Sequence, residues 1–162
     1  MNDCADASNE GALKAFAAIA REFCEWCEGE SLGADANRSA ARWLAQLHAA
    51  ALTLPDVEPD NGNGLPDLPA TTVATTRRNF APYNGMYYRE CFDPDPTLDD
   101  TPEMGDVGDD LLDIYKDIRA GLLVFDAGET NEALWHWAFL HRVHWGRHVV
   151  GALFALQCLP LE

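Results

Sequence analysis

From about residue 9 to residue 28, apolar side chains recur at steps of three and four: Leu13, Phe16, Ala17, Ala20, Phe23, Cys24 and Cys27. Wound at about 100° per residue they fall within roughly 120°, the stripe of a helix that lays one face on a core. Ser8 or Asn9 suits the cap, Glu10 the first turn, and Gly29 the stop. A second helix is predicted over 36–54, capped by Asp35 and ended by Pro55, with Trp43, Leu44, Leu47, Ala50, Ala51 and Leu54 on its apolar face. Only a short connection separates the two, which makes them antiparallel neighbours.

The periodicity then stops. Eight of the nine prolines fall between Pro55 and Pro102, and no sustained period runs from 55 to 105. The stretch 55–80 reads as a flexible loop, and 81–105 as an aromatic and acidic strap laid on the helices as a short helix or extended chain. Helical spacing returns over 108–127, where Leu111, Ile114, Tyr115, Ile118, Leu122 and Phe125 share a face and Gly128 closes it. The last segment, 131–159, is capped by Thr130 and carries Leu134, Trp135, Phe139, Val143, Trp145, Val149, Leu153 and Phe154 all around the wheel. A helix apolar on every side is a buried central one. The pattern therefore predicts a single all-α domain over 1–162, four-helix bundle-like, with disorder over 1–8 and one long Pro/Gly/Asp-rich loop between helices two and three.

Composition narrows the function. With 48% hydrophobic residues, five Trp and seven Phe, the chain has material for a real core. Its 27 acidic against 11 basic residues give a formal charge of -16, which opposes binding to nucleic acid or to anionic membranes. No run is long and apolar enough to span a bilayer, and the acidic start lacks the features of a secretory signal. The expected location is cytoplasmic. Five scattered cysteines fit free thiols there.

Chemistry concentrates in His141-Arg142-Val143-His144-Trp145-Gly146-Arg147-His148, which holds three of the five histidines. His141, His144 and His148 fall within about 60° on a helical wheel, and His144 and His148 have the i, i+4 spacing of a helical pair sharing one divalent metal. A zinc-protease motif would place Glu between them, where this chain has Trp145, Gly146 and Arg147. On a continuous helix the rings read first as a partly polar packing seam, where the acidic half of the chain docks. Asp106, Asp109, Asp110, Asp113 and Asp117 form one stripe of about 100°, centred away from the apolar face of the third helix, which reads as a solvated surface. Residues 93–97 begin like a calcium loop but lack the Gly and closing Glu. Cys24 and Cys27 lie near the C-terminal end of their helix on its apolar stripe, the pattern of buried structural thiols. Arg142 and Arg147 sit on a helix read as buried and so require acidic partners, while Arg77 and Arg78 read as ion-pair residues.

Three stretches carry a family resemblance: Tyr87-Tyr88-Arg89-Glu90-Cys91-Phe92-Asp93-Pro94, the run from Asp109 to Asp117, and His144-Trp145-Gly146 followed by His148. Together they make residues 87–156 resemble the uncharacterised bacterial family DUF5063. The resemblance implies an all-helical fold and brings no activity, cofactor or catalytic residue with it.

The residues support two functional expectations. One is a non-enzymatic interaction or regulatory module that binds a protein partner or itself through an exposed aromatic patch of Tyr83, Met86, Tyr87, Tyr88 and Phe92. The alternative is a metal or small-ligand site built on His144 and His148, with His141 beside them and acids from elsewhere. No cofactor is predicted beyond that divalent ion.

Overall fold

The computed structural model describes residues 3–30, 32–33, 35–60, 64–91, 93–99 and 101–158, and of residues 3–9 the backbone alone. Among them run six helices: α1 (Asp3–Glu28), α2 (Ala36–Ala51), α3 (Ala70–Asn79), α4 (Val107–Asp126), α5 (Thr130–Val143) and α6 (Trp145–Cys158). A short 3-10 turn (Ala81–Tyr83) and two strands, β1 (Tyr87–Glu90) and β2 (Glu103–Asp106), complete the order.

The stripe predicted for α1 is the one it buries, from Leu13 to Cys27, and α2, which packs on α1 and α6, buries Ala40, Leu44, Leu47 and Ala51. α1 starts at Asp3, inside the segment where disorder is expected; residues 1 and 2 lie outside the described residues.

The stretch 55–105 holds regular structure that its pattern does not announce. α3 is the run Ala-Thr-Thr-Val-Ala-Thr-Thr-Arg-Arg-Asn, without an apolar stripe, and buries only Thr76 fully. It is held through its end: the Asn79 side chain donates to the carbonyls of Cys27 and Gly29 at 2.9 and 2.8 Å, satisfying acceptors left over where α1 stops. β1 and β2 pair antiparallel, with Tyr88 opposite Gly105. A Cβ at Gly105 would stand 2.4 Å from the Tyr88 ring, so the bare glycine lets that ring lie flat across the ribbon.

The helical class holds, but the four-helix count does not, and the centre is a different helix. α4 packs against α1, α3, α5 and α6 and buries eleven residues along its length, Asp110 included. The Asp106 side chain caps it, accepting the backbone N–H of Gly108 at 2.8 Å. Gly121 admits the Trp137 indole, whose Nε1–H donates to the Ile118 carbonyl at 3.2 Å. The segment read as one last helix is two, because the backbone leaves helical geometry at His144 (φ -143°, ψ -90°). Gly146 forms the corner: a Cβ there would lie 2.1 Å from the His141 carbonyl oxygen.

Arg142 and Arg147 are exposed rather than buried, and Arg142 pairs with Asp56 at 3.1 Å. No helix among the described residues is long and apolar enough to cross a membrane.

Candidate metal centre

α4 carries Asp110, Asp113 and Asp117 at i, i+3 and i+7, which stacks three carboxylates along one flank. The solvated-surface reading of that stripe holds for Asp109, which is exposed, and in part for Asp113, whose side chain is 34% exposed, but not for Asp110 and Asp117. The corner at His144 turns α6 along their flank and sets His144 and His148 over them. A wheel drawn for one continuous helix misses this, since the corner changes the direction of every residue after it.

Asp110 is 5% exposed, and both its oxygens are engaged: Oδ2 accepts from the Tyr88 hydroxyl at 2.8 Å and Oδ1 meets His148 Nδ1 at 2.8 Å. Asp117 Oδ2 meets His144 Nδ1 at 2.6 Å. The two imidazoles stand edge to face, 4.9 Å between centroids. Asp113 accepts from Lys116 Nζ at 2.7 Å.

An ionised carboxylate only accepts, so these contacts place a proton on Nδ1 of each ring and leave Nε2 for a further partner. Metal-binding histidines are oriented in this way, with a carboxylate fixing the tautomer and raising the basicity of the other nitrogen. One ligand atom from each of Asp113, His144 and His148 lies within 4.8 Å of the others. Around a tetrahedral ion with bonds of about 2.0–2.1 Å, adjacent donors stand roughly 3.3 Å apart. An ion would have to draw these donors closer than they stand, and Asp113, its side chain 34% exposed, can turn without breaking either aspartate–histidine contact. Burial pushes the Asp117 carboxyl up against the pull of His144, and the bond to Asp110 pushes the His148 imidazole up.

His141 stands apart from this group. Its Nε2 lies 3.0 Å from Nδ1 of His48 on α2, and its ring packs 4.6 Å from that of Trp145. Burial, and then the charge of His48, pushes the His141 imidazole down. Folding therefore favours its neutral form. The stability this gives is fully present above the ordinary imidazole pKa and is lost as pH falls through the lower folded value. Melting temperature is expected to drop between about pH 7 and 5 more steeply in the wild type than in His141→Leu. Equal slopes in a calorimetric pH series would show that the pair carries no such linkage.

The aromatic residues expected at the surface divide. Tyr83 and Tyr88 are buried, Met86 is half-buried, Tyr87 is exposed, and Phe92 lies outside the described residues. Tyr83 joins Phe80 in the core, and Tyr88 is drawn in by Asp110, so the described members form no continuous patch. Cys24 and Cys27 are core residues whose thiols burial pushes up. In the acidic loop, Asp93 and Asp95 accept from backbone N–H groups two residues on, turning their carboxylates onto their own chain.

A family profile described as "Domain of unknown function (DUF5063)" matches residues 7–161. The chain belongs to the DUF5063 family. This DUF5063 chain also shares its fold with the crystal structure of protein BF1032 from Bacteroides fragilis, at a TM-score of 0.70 and 21% identity over 91% of this chain and 93% of that one. At that identity the likeness carries the fold alone. No curated protein matches the sequence. The three stretches behind the DUF5063 resemblance are far apart in the chain, and each supplies the centre: Tyr88 from the first, the three aspartates from the second, and His144 and His148 from the third.

Proposed function

We propose that this DUF5063 protein binds one divalent metal ion through Asp113, His144 and His148. The observation that carries the reading is the paired support of the histidines: both Nδ1 atoms rest on carboxylates of α4, and a ring nitrogen of each histidine lies within 4.8 Å of the other and of an Asp113 oxygen. Two imidazoles and one carboxylate suit a borderline ion such as zinc or iron(II), and three protein donors leave coordination positions open for water or a ligand. His141, engaged with His48, is no part of this set. The interaction-module reading relies on an aromatic surface that Tyr83 and Tyr88 commit to the core instead.

Equilibrium dialysis of the full chain against micromolar zinc, followed by gel filtration and elemental analysis, is expected to give one retained equivalent per chain. Less than a tenth of an equivalent, with the protein folded, would end the proposal. Lys116 tests the same site from the other side, since its ammonium competes with an ion for Asp113. Lys116→Met is expected to tighten zinc several-fold in a chelator competition, because it removes a like charge from beside the ion.

A further inference from the structure

α1 and α2 pack on each other, and a cleft of about 310 Å³ opens between them, lined by Glu22 from α1 and by Ser39, Arg42, Trp43 and Gln46 from α2. The volume falls at the small end of ligand pockets. The four α2 residues stand at i, i+3, i+4 and i+7, which puts them on one helix face. Trp43, half-buried, packs on the core and also lines the cleft. None of Asp113, His144 and His148 lines it, so the cleft is independent of the metal centre.

The polar side chains of the cleft are uncommitted. Those of Glu22, Ser39, Arg42 and Gln46 make no hydrogen bond or ion pair among the described residues. Other charged groups of α1 do find partners: Lys14 pairs with Glu10, Arg21 with Asp126, and Glu28 with Arg119. Glu22 and Arg42 line one cleft from neighbouring helices and are both exposed, yet no ion pair joins them. Together they offer a carboxylate to an ammonium and a guanidinium fork to a carboxylate, with a hydroxyl and an amide beside them. A ligand with one charge fits half of this, since a lone anion approaches a chain of formal charge -16 and a lone cation meets Arg42. A zwitterion meets both groups and, being neutral overall, is not repelled by the net charge of the chain. The Trp43 indole adds a flat apolar surface for the remainder of such a ligand.

We infer that the cleft binds a free α-amino acid with an apolar side chain, its ammonium at Glu22, its carboxylate at Arg42 and its side chain on Trp43. The test is a titration of isotope-labelled full-length protein, read at the amide resonances of Ser39, Arg42 and Gln46 and at the Trp43 indole N–H. The probes are L-phenylalanine, phenethylamine and hydrocinnamate, which share a ring and differ in the charges they carry. L-phenylalanine is expected to give saturable shifts at millimolar concentration or below and to bind tighter than either analogue. Arg42→Gln is expected to weaken L-phenylalanine and hydrocinnamate several-fold and to leave phenethylamine no weaker. Glu22→Gln is expected to weaken L-phenylalanine and phenethylamine several-fold and to leave hydrocinnamate no weaker. Both positions are exposed on helix surfaces and glutamine is a good helix former, so the variants keep the fold. An analogue that binds as tightly as L-phenylalanine would overturn the inference, and so would L-phenylalanine binding that neither substitution weakens. The absence of saturable shifts at millimolar L-phenylalanine would end it as well.

Discussion

Replacing His144 and His148 together by alanine is expected to abolish zinc retention while the helical signal stays that of the wild type. The side chains are 45% and 29% exposed, so their loss opens no large cavity. That result alone does not separate a built site from adventitious binding to surface imidazoles. Asp110→Asn does, because Asp110 touches no ion and acts through His148 Nδ1. Asparagine keeps the shape but offers the ring one neutral acceptor in place of a charged one, and the Tyr88 hydroxyl competes for the same amide. Loss of such a supporting carboxylate is expected to cost about 10- to 100-fold in metal affinity, read by competition with a chromophoric chelator. Asp109→Asn, one residue away and exposed, is the control and should leave affinity unchanged. If Asp110→Asn and Asp109→Asn bind zinc alike, the aspartates are not support for the histidines, and the centre is a coincidence of surface groups.

How much of the fold and the centre is legible in the residues depends on which interactions are local. The α1 and α2 stripes are helical and buried as their spacing indicates, because period and burial are set within a few turns. α3 escapes such a reading: its threonines are middling helix formers, and its hold comes from Asn79 on α1 carbonyls about fifty residues earlier in the chain. The site falls between these cases. His144 and His148 stand out by spacing, but their partners on α4 look like a solvated stripe until α6 is turned onto it. No periodicity encodes that turn. It hangs on Gly146, which reads in sequence only as a place where backbone can come close. Tyr88 is visible as an aromatic and its role is not, since that requires β1 to cross α6 at Gly151.

Gly146→Val puts that corner to the test. A Cβ at 146 meets the His141 carbonyl oxygen at 2.1 Å and its Cδ2 at 3.0 Å, and the first contact is backbone that no rotamer change relieves. Overpacking of this kind costs about 3 kcal/mol or more, and in a domain of this size that lowers the melting temperature by roughly 6–12 °C. Two features make the result informative beyond stability. Gly11→Ala, where a Cβ meets nothing within 4 Å, should stabilise α1 slightly, so glycine replacement as such is not the cause of any loss. The second is the metal centre: if relief of the clash moves α6 relative to α4, His144 leaves Asp117 and His148 leaves Asp110. Zinc affinity should then fall in the fraction that remains folded, at temperatures well below the transition. A Gly146→Val protein that melts with the wild type and binds zinc as well would mean that the His141 carbonyl does not crowd residue 146 and that the corner is not what positions the centre.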